Sequence, residues 1–136
     1  MRKALTLVAI VVGLGALFVA SIFAASESGE VVTLTTYDAG GAAHASRIWV
    51  VDDAGAQWLR AGLRSNSWYQ RLVARSDVDV RRGDTTRRYR AVAVDDPTTR
   101  DRVHALMRAK YGLADRYISL IRDADGSVAI RLDPTP

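Results

Sequence analysis

"SRIWVVDDAGAQWLRAG", residues 46–62, sets the architecture of the chain. It reads as two strands around a tight turn, each strand carrying one Trp and one Arg two positions apart. With Ala54-Gly55 at the turn centre, Val51 faces Trp58 and Trp49 faces Arg60, with Arg47 on the same side. The other face then holds Ile48, Val50, Leu59 and Ala61, which are aliphatic throughout. That register separates the two faces, and a slip of one residue would mix them. Gly55 also permits a three-residue loop with a bulge. The aliphatic face predicts a barrel interior, and the Trp/Arg face an outer surface that needs a cover. A helix over 65–76, a dimer partner or a flat ligand would each serve. A flat anion accounts best for rings mixed with guanidinium groups, through stacking and bidentate contacts.

Upstream, "MRKALTLVAIVVGLGALFVASIFAASESGE" starts with two cations and runs apolar from Ala4 to Ala25. A helix rising about 1.5 Å per residue over that run spans a hydrocarbon core of about 30 Å. The apolar region of a secretory signal is shorter, about 7–15 residues, so the length predicts an uncleaved membrane anchor over 1–26. The small residues of "SIFAAS" leave a cleaved signal-like segment as the alternative. Arg2 and Lys3 hold the N-terminus in the cytoplasm, and the next cation is Arg47. The expectation is a single-pass membrane protein whose domain, 27–136, is extracytoplasmic.

Downstream the pattern is short strands with turn signals. "VVTLTTY" (31–37) is β-branched and stops at the loop "DAGGA". "ASRIWVV" (45–51) and "AQWLRA" (56–61) make the opening hairpin. "SNSWYQRLVARS" (65–76) predicts a short helix capped by Ser65 or Ser67, with Trp68, Tyr69 and Leu72 inward. "DVDVR" (77–81) and "TRRYRAVAV" (86–94) flank Gly83-Asp84, a pair suited to a type II′ turn. In "DDPTTRDRVHALMRAKYG", Asp96 caps a helix and Pro97 fits its first turn. Val103, Leu106, Met107 and Tyr111 form its stripe, and Gly112 ends it. "LADRYISLIRDADG" predicts a further short helix with Tyr117, Leu120 and Ile121 inward, and "SVAIRL" (127–132) a last strand. Six antiparallel strands with two or three short helices point to a mainly β, α+β domain curled into a small barrel. The late closing strand suggests a Greek-key return.

Composition removes several chemistries. The chain has 136 residues and no cysteine, so disulfides, thiolate metal sites and thiol nucleophiles are excluded. His44 and His104 are its two histidines, which leaves no histidine-rich metal site. There are 19 Lys+Arg against 15 Asp+Glu, and 17 against 15 once Arg2 and Lys3 are set aside. So small an excess on a tethered domain argues against nucleic acid. Arg81, Arg82, Arg87, Arg88 and Arg90 crowd one hairpin, where Asp79 lies opposite Arg88. A solvated face is the first reading there, and an anionic lipid surface the second. No nucleophile-elbow spacing supports a Ser-His-Asp hydrolase.

The run "LTTYDAGGAAHASRIWVVDDAGAQWLRAGLRSNSWYQRLVARSDVDV" (34–80) resembles the split β-barrel flavin- and deazaflavin-binding proteins. That superfamily includes the pyridoxamine-phosphate-oxidase-like proteins and the deazaflavin-dependent nitroreductases. The resemblance extends over 31–133, through "YRAVAV", "RDRVHALMRAKYG" and "RLDP", and rests on the order and spacing of elements. It implies a six-stranded split barrel that binds FMN or a deazaflavin. It further implies an oxidoreductase acting on a lipophilic acceptor such as a quinone or nitro-compound, with a homodimer common among such barrels. Carried over by position, Arg47 takes the place of a phosphate-binding Arg, and Ile48 and Trp49 lie along the ring. Arg60, Arg64, Ser65 and Ser67 meet the phosphate where strand turns into helix, an N-terminus with free N–H groups. Trp68 packs beside the cofactor. Two departures favour the alternative, a non-catalytic tethered binding or interaction module without cofactor. "DAGGAAHAS" (38–46) replaces a "GRKSG"-like turn, and "ARSD" (74–77) replaces "NP". On either reading, catalytic residues are not identified and no metal is expected.

Overall fold

Alternation builds the sheet. In β1 (Val31–Tyr37), Val32, Leu34 and Thr36 are buried while their neighbours are half-exposed, the period of two that a one-sided strand requires. The same rule shapes β2 (Ala43–Trp49), β3 (Val51–Asp53) and β4 (Ala56–Ala61), and then β5 (Asp77–Arg82) and β6 (Thr85–Val94), whereas β7 (Val128–Pro134) is buried on both faces at Val128, Ala129 and Ile130. The helices are α1 (Arg2–Ser26), α2 (Ser67–Ala74), α3 (Pro97–Tyr111) and α4 (Leu113–Ile118). The structure, a computed structural model, describes residues 1–27 and 29–136.

All seven strands form one antiparallel sheet in the order β2-β1-β5-β6-β7-β4-β3. Its two edge strands, β2 and β3, are consecutive in the chain and separated by Val50 alone. The sheet therefore curls until its edges meet, which makes an antiparallel half-barrel with β7 returning between β6 and β4. The count is seven strands where six were expected, because the run 45–51 divides at Val50. Before that residue the chain pairs with β1, and after it with β4. Val50 itself is fixed from outside the sheet. Its N–H donates to Tyr111 Oη at 3.1 Å, and its carbonyl accepts from Lys110 Nζ at 2.7 Å.

The β3–β4 hairpin has Val51 opposite Trp58, with Ala54 and Gly55 both at positive φ, the mark of a type I′ turn. Gly83 alone is at positive φ in the β5–β6 turn, as a type II′ turn requires. Asp79 lies opposite Arg88 and pairs with it at 3.0 Å. Arg82 reaches both Glu30 and Asp52, so the arginine hairpin is in part neutralised.

Two apolar clusters sit on the two sides of the sheet. The interior holds Val50, Leu59, Ala61, Leu34 and Ile130, with Trp68, Tyr69 and Leu72 of α2 closing it. Ile48 packs against this cluster. The second holds Trp49, Val51, Ala129, Val103, Met107 and Tyr111. The Trp/Arg face is thus not left outward: Trp49 is buried, and α3 covers it rather than the 65–76 helix. Tyr111 stacks on Trp49 at 4.1 Å between ring centroids and 5° between planes, worth about 0.5–1.5 kcal/mol beyond area burial.

The helices follow local signals with two exceptions. Asp96 caps α3 by accepting from the Thr99 N–H at 2.8 Å, and Pro97 occupies its first turn. The cap residue of α2 is Asn66, not Ser65 or Ser67, and no side chain bonds to that end. The second exception is α4 and the turn after it. Leu120 and Ile121 were expected inward and are 66% and 47% exposed, while Asp115 is 1% exposed.

Candidate ligand-binding cleft

Beyond the Val51–Trp58 pair, β2 and β4 part company: β2 continues along β1 and β4 along β7. A cleft of about 250 Å³ lies in that split. Its β-strand walls are Arg47, Ile48 and Trp49 on one side and Arg60, Gly62 and Leu63 on the other. Asn66 and Trp68 at the start of α2 close one end, and Met107, Ile118, Ile121 and Arg122 close the other. Trp49 and Arg60 are consequently neighbours across a gap rather than a bridged pair.

The floor is charged. The Arg60 side chain is 6% exposed and donates to Asp115 Oδ1 at 2.6 Å. The Arg122 side chain, 7% exposed, reaches the same oxygen at 2.9 Å. Arg122 Nε is buried and has no partner among the described residues. Two guanidinium groups thus share one carboxylate oxygen, and a neighbouring imidazole adds no charge. His104 Nδ1 lies 3.2 Å from Arg60 Nη1, and its Nε2 lies 2.9 Å from the Ala124 carbonyl. A guanidinium only donates and a carbonyl only accepts, so Nδ1 accepts, Nε2 carries the hydrogen, and the ring is neutral. Burial pushes His104 below the ordinary imidazole range. The Ala124 carbonyl resists that shift, and the Arg60 and Arg122 charges reinforce it. Burial likewise lowers the Arg60 pKa, against the Asp115 hydrogen bond.

The expected site residues are divided by the fold. Arg47, Ile48, Trp49, Arg60 and Trp68 line the cleft. Arg47 is at its mouth, half-exposed and paired with Glu27 at 2.8 Å. Trp49 Nε1 donates to the Ser26 carbonyl at 2.8 Å, which ties the cleft wall to the end of α1. Arg64 points elsewhere, clasping Asp95 at 2.6 Å and the Gly126 carbonyl at 2.9 Å. Ser65 and Ser67 are exposed outside the cleft. His44, expected in a loop, is in β2 and bonded to Asp38 at 2.9 Å.

Asp115 and Arg122 escape the sequence reading, while His104, on the amphipathic helix beside the apolar stripe, reads there as structural. A buried carboxylate seven residues before an arginine matches one helical face, but that face was assigned to solvent because Leu120 and Ile121 claimed the interior. The described residues contain no cluster of three or more His, Asp or Glu able to hold a metal ion.

The chain is similar to several solved structures. One is a conserved hypothetical protein of Mycobacterium tuberculosis, 19% identical over 86% of this chain and 80% of that one, with a TM-score of 0.65. A Listeria innocua protein named as a candidate pyridoxamine 5′-phosphate oxidase is 18% identical over 85% and 92%, with a TM-score of 0.61. An F420-H2-dependent reductase is 20% identical over 76% and 94%, with a TM-score of 0.60. No protein family model and no curated protein matches the sequence. The likeness is one of fold: the chain has the split-barrel architecture of pyridoxamine-phosphate-oxidase-like and F420-dependent reductase proteins.

Proposed function

We propose that the chain is a membrane-anchored split-barrel protein that binds FMN or a deazaflavin in the cleft between β2 and β4. In this reading it is an oxidoreductase acting on a lipophilic acceptor such as a quinone or nitro-compound. The observation that carries the proposal is the cleft floor, where Arg60 and Arg122 outnumber Asp115 and Arg122 Nε lacks a partner. A buried donor without an acceptor costs about 1–3 kcal/mol, more for a charged group, and an anionic ligand would recover that cost. The rest of the lining is mostly apolar, with Ile48, Trp49, Trp68 and Met107 suited to a planar ring.

When bound, such a cofactor supplies the hydride chemistry. The protein's part is binding and exclusion of water. Arg60 and Arg122 hold the anionic group, Arg47 guards the mouth, and Trp49 and Trp68 border the ring. Arg64, Ser65 and Ser67 are not given that role, since none of them lines the cleft. The helix α1, long and apolar enough to cross a membrane, serves in this reading as the anchor, with the barrel on the extracytoplasmic side. A topology reporter fused at the C-terminus tests the side: cytoplasmic signal would reverse that assignment.

Titration of the full chain in detergent with FMN and with a deazaflavin tests the cofactor. Expected are a saturable absorption change, quenching of tryptophan fluorescence, and affinity about tenfold or more weaker in Arg122→Met, the worth of a charge-assisted hydrogen bond. The absence of titratable binding to either would overturn the proposal. The second reading is a non-catalytic binding module of the same fold. It is supported by Arg64 being engaged with Asp95 and by the exposed Ser65 and Ser67, which leave the start of α2 without a phosphate grip.

A further inference from the structure

The segment 113–122 is turned inside out for a helix on a soluble domain. Asp115, Ile118 and Arg122, spaced three and four apart, face the barrel, and they include its buried charges. Leu113, Tyr117 and Leu120 share the opposite face, where Leu113 is 78% exposed. Ile121 adjoins it and also lines the cleft, and Leu63 is exposed on the neighbouring cleft wall. The Asp123 N–H donates to the Gly62 carbonyl at 3.1 Å, which keeps these two rims together.

What surrounds that face is fixed by α1. The Tyr117 ring lies 6.3 Å from Phe18, so the apolar side of α4 runs along α1. Phe18 is eight residues before the end of a 25-residue helix, about 12 Å down its axis. That helix is about 37 Å long against a hydrocarbon core of about 30 Å. With α1 spanning, Tyr117 sits several ångströms inside the boundary between headgroups and acyl chains, the depth of about 5–10 Å at which interfacial helices lie. No slack separates barrel from anchor, because Trp49 Nε1 bonds to the Ser26 carbonyl itself. Arg116, exposed on α4, has a stem long enough to return its charge to the headgroups.

We propose that α4 and the turn after it, through Leu113, Leu120 and Ile121, form a lip immersed in the same bilayer that holds α1, so that the cleft opens onto lipid. The proposal rests on α1 being the membrane anchor and deepens that reading by giving a lipophilic ligand its route. The chain lacks cysteine, so single cysteines can be introduced and spin-labelled without background. The full chain in liposomes carries a label at Leu113→Cys, Leu120→Cys or Ile121→Cys. Val12→Cys, near the middle of α1, reports the anchor. Ala39→Cys, in the turn past the far end of β1, a strand about 20 Å long, reports the aqueous side. Collisions with oxygen, which partitions into lipid, are compared with collisions with a water-soluble nickel chelate.

The expected result is that labels at 113, 120 and 121 resemble that at 12, rich in oxygen and poor in nickel collisions, while 39 is the reverse. If those three resemble 39 while 12 remains in lipid, the lip is refuted and the anchor stands. If they are shielded from both quenchers, a second copy covers the face and the lip is again refuted. A label at 12 open to nickel overturns the anchor and the lip together.

Discussion

Among single residues the central arrangement is Asp115 between two guanidinium groups. Breaking a buried ion pair by removing one partner costs about 3–5 kcal/mol, because the other charge stays desolvated. Asp115→Ala is therefore expected to lower unfolding stability by about that amount in urea titration, where Arg60 and Arg122 would both lose their carboxylate. Inorganic phosphate should restore part of the loss if the floor binds anions. His104 makes a separate prediction. Its folded pKa lies below the unfolded value of 6.5, so below pH 6.5 the unfolded chain takes up the proton first. Stability should be constant above that pH on this group's account and fall as pH drops toward the folded pKa. Urea midpoints between pH 8 and 5 check the slope, which His104→Gln should flatten.

Of the secondary-structure elements, α3 is the one that local chemistry specifies best. Asp96, Pro97 and Gly112 mark its ends before any tertiary contact is considered, and its stripe covers Trp49. Asp96→Ala removes the oxygen that accepts from the Thr99 N–H and is expected to cost about 0.5–2 kcal/mol. A thermal unfolding midpoint lowered by a few degrees would check it. α4 is the opposite case. Leu120 and Ile121, in the turn after it, read as an inner face by hydropathy, yet Arg60, reaching from β4, draws Asp115 inward and leaves them exposed. A short helix with two candidate faces follows whichever face has a partner, and the partner lay 55 residues away.

For the molecule as a unit, the sheet closes through Val50, and Tyr111 is the peg at that seam. Its hydroxyl accepts the Val50 N–H at 3.1 Å and reaches the Glu30 carbonyl at 2.6 Å. Tyr111→Phe preserves the stack on Trp49 and leaves a buried N–H without an acceptor, for an expected loss of about 1–3 kcal/mol in urea denaturation. Hydrogen exchange should then speed up at Val50 more than in the middle of β1. Removing the stacking ring as well, in Tyr111→Ala, is expected to cost more, since the second apolar cluster is opened too.

Apart from the cap of α2, what depends on neighbours along the chain was largely legible before folding. The alternation of β1, the Asp96 cap, the two hairpin turns and the aliphatic face of residues 48–61 all follow from short-range stereochemistry and a period of two. The apolar run of α1 is legible for the same reason. Three-dimensional packing was needed to break the run 45–51 at Val50 and to roof Trp49 with α3 rather than α2. Packing also turned Arg64 toward Asp95 and brought Arg122 into the cleft. Those outcomes are set by which charges find partners once the sheet has curled, and no local register connects Arg60 or Arg64 to carboxylates 55 and 31 residues away, as the hairpin register connects Arg88 to Asp79.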